Sequence, residues 1–275
     1  MRTSVIQFAA GTDAGENLEV ISRLVGKAAA QGAGFVVLPE AAMHDFGPPD
    51  LDLGAAAQAL DGPFVSALGR LAGAHRLWIV AGMFERSGDA ARPYNTLVAL
   101  SPTGDLQATY RKTYLYDSFG YRESDRMLAG EGRPVVVSCE GLAVGLMTCY
   151  DLRFPEFSRA LVDAGADVLA VPAAWVSGPL KEDHWVTLLR ARAIENTVYV
   201  TAAAQTGKAY SGRSMIVDPL GVAVAALGDG EGLATAEVDL QTIAAVRDRN
   251  PSLANRRRDL LDARPDGSRR AAARV

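Results

Sequence analysis

Three residues with complementary chemistry, Glu40, Lys112 and Cys149, each stand at the end of a different predicted strand. Cysteine attacks a carbonyl as its thiolate, so it needs a base for its proton and positive charge for the developing oxyanion. A carboxylate and a lysine can supply both, and the carboxylate can return the proton to a departing amine. Taken singly, each residue is common in α/β proteins. Their combination predicts a cysteine nucleophile that acts on a carbonyl carbon.

Two residues just after Cys149 could contact the reacting substrate. The peptide N–H of Tyr150 starts the turn after the nucleophile and is a natural second donor to an oxyanion. Arg153 could hold a substrate carboxylate through its planar guanidinium. An ion pair between Arg153 and Glu156, or another buried acid, is the favoured alternative.

Aromatic residues in two loops are candidates for a pocket wall. Trp175 follows the apolar run Val168–Ala173, and Tyr116, Phe119 and Tyr121 follow Lys112. Loops at strand ends are where α/β proteins collect specificity residues, although a tryptophan more often serves packing. The sequence leaves both roles open for Trp175.

Short apolar segments alternate with helical segments, and several strands are joined directly by turns such as Ser101–Asp105. The predicted strands are Ser4–Ala9, Phe35–Pro39, Leu77–Phe84, Thr96–Leu100, Gln107–Arg111, Val135–Cys139, Ala143–Thr148, Val168–Ala173, Val198–Ala203, Ser214–Val217 and Val222–Ala226, with Thr235–Asp239 as a further candidate. Helices are predicted after Gly15, Pro63, Phe154 and His184.

This mixture favours two sheets packed face to face with helices outside, because a single parallel sheet would need a crossover after every strand. The predicted fold class is therefore α/β, a four-layer αββα sandwich. We expect one domain over residues 1–255, since α/β folds of this length often form a single core. The arginine-rich residues 256–275 are expected to be a C-terminal arm or tail.

Composition narrows the range of partners. The 275 residues are 49% hydrophobic and carry a formal net charge of −4, which argues against binding to nucleic acid or a membrane surface. No apolar run approaches the roughly 20 residues that a membrane span needs. Two cysteines do not make a disulfide framework. We expect a cytoplasmic protein whose partner is a small molecule.

The sequence offers no pattern for a metal or cofactor. Its histidines, His44, His75 and His184, have neither helical nor hairpin spacing, and there is no Cys–His cluster. The glycines form neither a dinucleotide-binding nor a phosphate-binding pattern. We therefore predict no metal and no cofactor.

Longer motifs around the three residues make the pattern more specific, and with them the chain resembles the nitrilase superfamily of carbon–nitrogen hydrolases over nearly its whole length. The motifs are Val37-Leu38-Pro39-Glu40, Tyr110–Asp117, Glu123-Ser124, Gly145–Glu156, Arg190–Asn196 and Ser214–Gly221. The resemblance implies the αββα sandwich, a Glu40–Lys112–Cys149 triad, and a homodimer or higher even oligomer. It also implies that Glu123 contacts Lys112 and helps to position substrate, the alternative being a solvated loop acid. Apolar residues of the helix after Cys149, among them Phe157 and Leu161, also suggest an oligomer.

The string Cys149–Glu156 is similar to that of amidases acting on deaminated glutathione and on ω-amides of 2-oxo acids. We therefore expect hydrolysis of a small carboxylate-bearing amide through a thioester. The residues Thr206–Arg213 depart from that branch, which carries a histidine-bearing segment there, so the substrate stays open. The alternatives are an N-carbamoyl amino acid hydrolase or a nitrilase with the same triad, hydrolysis by a bound metal, and a non-catalytic scaffold.

Overall fold

Two six-stranded mixed sheets dominate the fold, and the computed structural model describes residues 1–257. The strands of the first sheet, in spatial order, are β14 (Gly232–Glu237), β1 (Arg2–Gln7), β2 (Phe35–Val37), β3 (Trp78–Glu85), β4 (Tyr94–Leu100) and β5 (Leu106–Arg111). Those of the second are β13 (Ala223–Ala226), β12 (Met215–Val217), β11 (Tyr199–Ala204), β10 (Val168–Ala173), β9 (Leu142–Leu146) and β8 (Val135–Cys139). Each predicted strand thus forms, with ends shifted by up to a few residues. The candidate Thr235–Asp239 is β14, which starts earlier.

The sheets pack against each other through alternate residues of their strands. Val5 and Val80 of the first sheet lie in one apolar cluster with Val144 of the second, whereas Ile6 and Ile79 point into a separate cluster. This alternation follows from the two-residue period of a strand. Strands buried on both faces must be apolar on both, which is why they appear in the sequence as continuous runs.

Helices cover both outer faces and complete the predicted αββα sandwich. They are α1 (Ala14–Ala30), α2 (Leu53–Ala56), α3 (Pro63–His75), α4 (Pro155–Asp163), α5 (Lys181–Asn196) and α6 (Leu240–Arg249). Ile21 and Leu24 of α1 pack with Leu68 of α3 on the first sheet. Leu161 of α4 and Leu189 of α5 pack on the second.

Local sequence explains where these helices begin. The side chain of Asp13 accepts hydrogen bonds from the backbone N–H groups of Gly15 and Glu16 and so caps α1. Proline stands at the first residue of α3 and of α4, where it needs no hydrogen-bond partner. α5 begins at Lys181, before the predicted start after His184. α6 was not predicted, although Asp239 caps it by accepting from the Thr242 N–H.

The short hairpin β6 (Asp117–Ser118) and β7 (Tyr121–Arg122) lies in the loop after β5. Its tip carries Phe119, whose φ of 53° is left-handed and whose side chain is 69% exposed. Within residues 1–257 no helix is long and apolar enough to cross a membrane. Of the predicted arm at 256–275, residues 258–275 lie outside the described residues, and the division into a domain at 1–255 and an arm stays a prediction.

Candidate active site

Glu40 is held where the two sheets meet. It follows β2, and the backbone N–H of Gly82 on β3 donates to the Pro39 carbonyl at 3.2 Å. A Cβ atom at Gly82 would lie 2.7 Å from the Cα atom of Glu40, so only glycine allows this approach. From the second sheet, Gln205 Nε2 donates to the Glu40 carbonyl at 3.0 Å. The backbone of Glu40 is therefore fixed by both sheets.

Lys112 lies between two buried carboxylates. Its ammonium donates to Glu40 Oε1 at 2.9 Å and to the Glu123 oxygens at 3.1 and 2.8 Å. The three side chains are 1–2% exposed. Glu123 also accepts from the Tyr116 N–H at 2.6 Å. The contact between Glu123 and Lys112 is confirmed, and the alternative of a solvated loop acid is wrong.

Cys149 starts the 3-10 turn Cys149–Arg153 shortly after β9, as the strand-to-turn pattern predicts. Its φ of 44° is left-handed, a conformation that costs a residue with a Cβ atom about 1–3 kcal/mol and tends to occur at functional sites. The residue is 7% exposed. Its thiol lies close enough to the Glu40 carboxylate and the Lys112 ammonium to feel both charges.

The charges of the site keep Cys149 protonated at rest. Burial, followed by the negative charge of Glu40, raises the pKa of the Cys149 thiol well above its usual value, and Lys112 opposes this only in part. Burial alone would lower the pKa of Lys112, but Glu123 and Glu40 outweigh it and hold that pKa well above the ordinary one. Two carboxylates against one ammonium disfavour a thiolate. The sequence predicts that the Lys112 charge favours the thiolate. That charge does lower the pKa of Cys149, but burial and the charge of Glu40 raise the pKa by more.

Asp151 ties the nucleophile turn to the segment that carries Lys112. Its carboxylate accepts from the Thr148 N–H at 2.8 Å, the Tyr114 N–H at 2.9 Å and the Tyr110 hydroxyl at 2.7 Å. Burial raises the pKa of Asp151 to about 6, against the lowering effect of these hydrogen bonds. The carboxylate is therefore ionised at neutral pH and fixes both segments relative to each other.

A cavity of about 500 Å³ opens onto these groups. All the predicted site residues contribute to its wall: Glu40, Lys112, Tyr116, Glu123, Cys149, Tyr150, Arg153 and Trp175. Phe119 and Tyr121 lie there too. The segment Thr206–Arg213, whose sequence differs from the deaminated-glutathione branch, adds Ala209 and Tyr210 to the cavity wall. The Tyr210 hydroxyl donates to Asp45 at 2.6 Å. A few polar groups in a largely apolar cavity are typical of a small-molecule site.

Arg153 does not form the ion pair that was favoured for it. Its Nε and Nη2 atoms are buried and have no hydrogen-bond partner among residues 1–257. The guanidinium lies 4.8 Å from the centroid of the Trp175 ring and 5.9 Å from that of Tyr150. The preference for Glu156 was wrong because this turn directs Arg153 into the cavity, while Glu156 is exposed at the start of α4.

Trp175 is packed in the interior and also lines the cavity, and its role in recognising substrate stays a prediction. It is 3% exposed and packs against Trp185 with ring centroids 5.2 Å apart. Its indole N–H donates to the Lys181 carbonyl at 2.7 Å, which anchors the start of α5. The ring also forms part of the cavity wall.

Two residues at the site were not found from the sequence. Asn95 Nδ2 donates to Glu40 Oε1 at 2.7 Å and to Glu123 Oε1 at 3.1 Å, so it bridges the carboxylates. An asparagine at the start of β4, just before its apolar residues, was the available signal. Lys181 lines the cavity as well, and no sequence pattern marks it. No cluster of three or more metal-binding side chains occurs within 1–257, and the predicted absence of a metal stays a prediction.

Comparisons with known proteins agree with this geometry. The family model described as carbon-nitrogen hydrolase matches residues 2–248. The chain is 42% identical over 252 residues to a deaminated glutathione amidase of Escherichia coli O157:H7, covering 91% of this chain and 95% of that protein.

Two solved structures show the same fold. The NitFhit protein of C. elegans matches with a TM-score of 0.87 and 33% identity, over 94% of this chain and 65% of its own. A Glu-to-Gln variant of an amidase from Nesterenkonia sp. AN1 matches with a TM-score of 0.79 and 28% identity, over 95% of each chain. That structure is described as showing covalent addition of the acetamide moiety of fluoroacetamide at the active-site cysteine.

Proposed function

The chain belongs to the carbon–nitrogen hydrolase family, and we propose that it cleaves a small carboxylate-bearing amide through a thioester on Cys149. It is an amidase that acts on C–N bonds. The observation that carries the proposal is the buried contact of Lys112 with both Glu40 and Glu123 beside the Cys149 thiol. The covalent cysteine adduct described for the Nesterenkonia amidase supports the same chemistry.

In the proposed acylation step, the Cys149 sulfur attacks the amide carbonyl carbon while Glu40 accepts the thiol proton. Glu40 Oε1 is already engaged by Lys112 and Asn95, and Oε2 accepts from the Ala174 N–H at 2.6 Å. The ammonium of Lys112 and the peptide N–H of Tyr150 stabilise the oxyanion. Glu40 then passes its proton to the amide nitrogen, the C–N bond breaks, and the amine or ammonia leaves.

Deacylation reverses the direction of proton transfer. Glu40 takes a proton from a water molecule, whose oxygen attacks the thioester carbonyl carbon. The C–S bond breaks, the thiol regains the proton, and the carboxylic acid product forms. Because the pKa of the Cys149 thiol is raised, the departing thiolate readily accepts this proton. Glu123 keeps Lys112 charged throughout, since both of its oxygens contact the ammonium.

The proposed substrate carries a carboxylate that Arg153 binds. Arg153 lines the cavity, and its buried Nε and Nη2 atoms have no hydrogen-bond partner among residues 1–257, so a carboxylate bound beside this guanidinium would supply two oxygens in matching geometry. We therefore propose an ω-amide of a 2-oxo or dicarboxylic acid, or deaminated glutathione, as the substrate class. The name of the Escherichia coli relative supports this choice. An N-carbamoyl amino acid hydrolase or a nitrilase is not favoured by these matches.

Kinetics with matched acids and esters tests the substrate proposal. We expect kcat/KM for α-ketoglutaramate to exceed that for its methyl ester by about 10-fold or more, because charge-assisted hydrogen bonds contribute about 1.5–3 kcal/mol. Ammonia release measures both reactions, and release of cysteinylglycine measures hydrolysis of deaminated glutathione. Equal rates for acid and ester would remove the carboxylate claim, and faster hydrolysis of a nitrile than of any amide would overturn the amidase assignment.

We also propose a homodimer or a higher even oligomer. The apolar residues of α4 do not support this proposal, because they pack inside the protomer. Phe157 is 4% exposed and Leu161 is fully buried. A better support is the exposed apolar group formed by Ile194, Leu220 and Val222, each more than 40% exposed. Light scattering of an active sample should give at least twice the 29.0 kDa chain mass. A monomer mass would contradict the proposal.

A cytoplasmic location is likewise proposed. Both cysteines of the chain, Cys139 and Cys149, are free and buried. Free thiols are typical of reducing compartments, where disulfides are rare. An uncombined Cys149 is also what the proposed chemistry needs, and oxidation would block it.

A further inference from the structure

Lys181 is a buried lysine at the mouth of the cavity that the proposed mechanism does not use. It is the first residue of α5 and is 6% exposed. The preceding Leu180 is left-handed, with a φ of 61°, and the Trp175 indole N–H holds the Lys181 carbonyl. These constraints on the backbone direct the lysine side chain toward the cavity.

The ammonium of Lys181 sits among aromatic rings. Its Nζ atom donates to the Tyr116 hydroxyl at 2.7 Å and lies 4.2 Å from the centroid of the Phe119 ring. An ammonium has three N–H donors, so this contact leaves two of them for another acceptor. The rings limit the access of water and so strengthen any charge interaction made there.

Lys181 and Arg153 face the same aromatic surface. The guanidinium of Arg153 lies 4.8 Å from the Trp175 centroid and 5.9 Å from that of Phe119, the ring that Lys181 also approaches. Neither cation forms an ion pair with a carboxylate of the described chain. Burial, and then the charge of Arg153, lowers the pKa of Lys181. Two neighbouring buried cations are costly without an anion between them.

We propose that Lys181 is a specificity-determining residue that holds, together with Arg153, one carboxylate of the substrate. This inference rests on the proposed function and adds a second cation to it. Arg153 presents a fork that matches the two oxygens, and Lys181 adds a point charge with free donors. Because Arg153 stands on the turn that starts with Cys149, the pair fixes the carboxylate relative to the nucleophile. A neutral amide gains nothing from either cation.

The test compares α-ketoglutaramate with its methyl ester in Lys181→Met, which keeps the apolar stem and removes the charge. The ratio of kcat/KM for the acid to that for the ester is expected to fall by about 10-fold or more, mainly through KM for the acid. Lys181→Arg keeps a cation and should recover most of the ratio. Titration of the wild type and of Lys181→Met with 2-oxoglutarate, the acid product, should show weaker binding to the variant.

Lys208→Met is the matched control. Lys208 is exposed in the neighbouring loop and does not line the cavity. Its replacement by Met therefore removes the same charge as Lys181→Met without changing the proposed site. The ratio should stay within about twofold of the wild type, because an exposed charge is screened by solvent and salt. Circular dichroism confirms that each variant is folded before its kinetics are compared.

The outcomes separate this inference from the function beneath it. If the wild type hydrolyses both compounds and Lys181→Met slows them by the same factor, Lys181 is structural and the inference is wrong. If the acid-to-ester ratio of kcat/KM falls equally in Lys208→Met, the effect comes from the net charge of the protein, and the inference is also wrong. If the wild type hydrolyses no amide and does not bind 2-oxoglutarate, the proposed function and this inference fail together.

Discussion

Replacement of Cys149 by Ala is expected to lower kcat by at least about 10⁴-fold, because the covalent step loses its nucleophile. The fold should persist, since alanine removes one sulfur atom from a turn that Asp151 holds through the Thr148 and Tyr114 N–H groups. Ammonia release measures turnover. Mass spectrometry of the wild type with a slow amide should show the acyl group on the peptide that contains Cys149.

Cys139→Ala is the matched control for that substitution. Cys139 is fully buried in β8, and burial raises its pKa to about 12, so it is an inert thiol away from the cavity. We expect Cys139→Ala to cost some stability through a small void and to keep kcat within about threefold. Near-normal activity in folded Cys149→Ala would show that the reaction does not pass through this thiol.

The proximity of Glu40, Lys112 and Cys149 could be predicted from the sequence because the three residues share a local signature. Each follows a strand-like run, Glu40 and Lys112 in the first sheet and Cys149 in the second, and α/β proteins collect functional residues at such strand ends. The sheet order itself was not derivable from those runs. Nothing local indicates that Gly82 allows Glu40 to approach β3, or that Gln205 from the second sheet donates to its carbonyl.

Residues whose roles depend on long-range placement were harder to predict. Glu123 looks like an ordinary loop acid until the hairpin β6–β7 folds back and buries it against Lys112. An ion pair with Glu156 or another buried acid was favoured for Arg153, but the residues after Cys149 form a 3-10 turn that places Arg153 in the cavity wall. Lys181 resembles a surface lysine at a helix start, and only the aromatic residues of another loop give it a different environment.

Glu40→Gln and Lys112→Met are expected each to lower kcat by about 10²–10⁴-fold, the range typical for loss of a general base or of an oxyanion stabiliser. Glu40 Oε1 and Lys112 Nζ are 2.9 Å apart, so each side chain acts through the other. The losses should therefore be non-additive, and the double variant should lie within about 10-fold of the worse single variant. A double variant slower by the product of the two single factors would show independent roles and contradict the triad.

Arg111→Met separates catalysis from the general effect of losing an ion pair. Arg111 precedes Lys112 on β5 and also contacts a buried carboxylate, with Nη2 2.6 Å from Glu85 Oε1, but it does not line the cavity. Its loss should lower stability while keeping kcat within about threefold. Lys112→Met leaves Glu40 and Glu123 without a countercharge, which costs about 3–5 kcal/mol for a buried pair. Thermal unfolding of each variant therefore sets the temperature at which all are folded, and a loss of kcat that persists there belongs to the chemistry of the site.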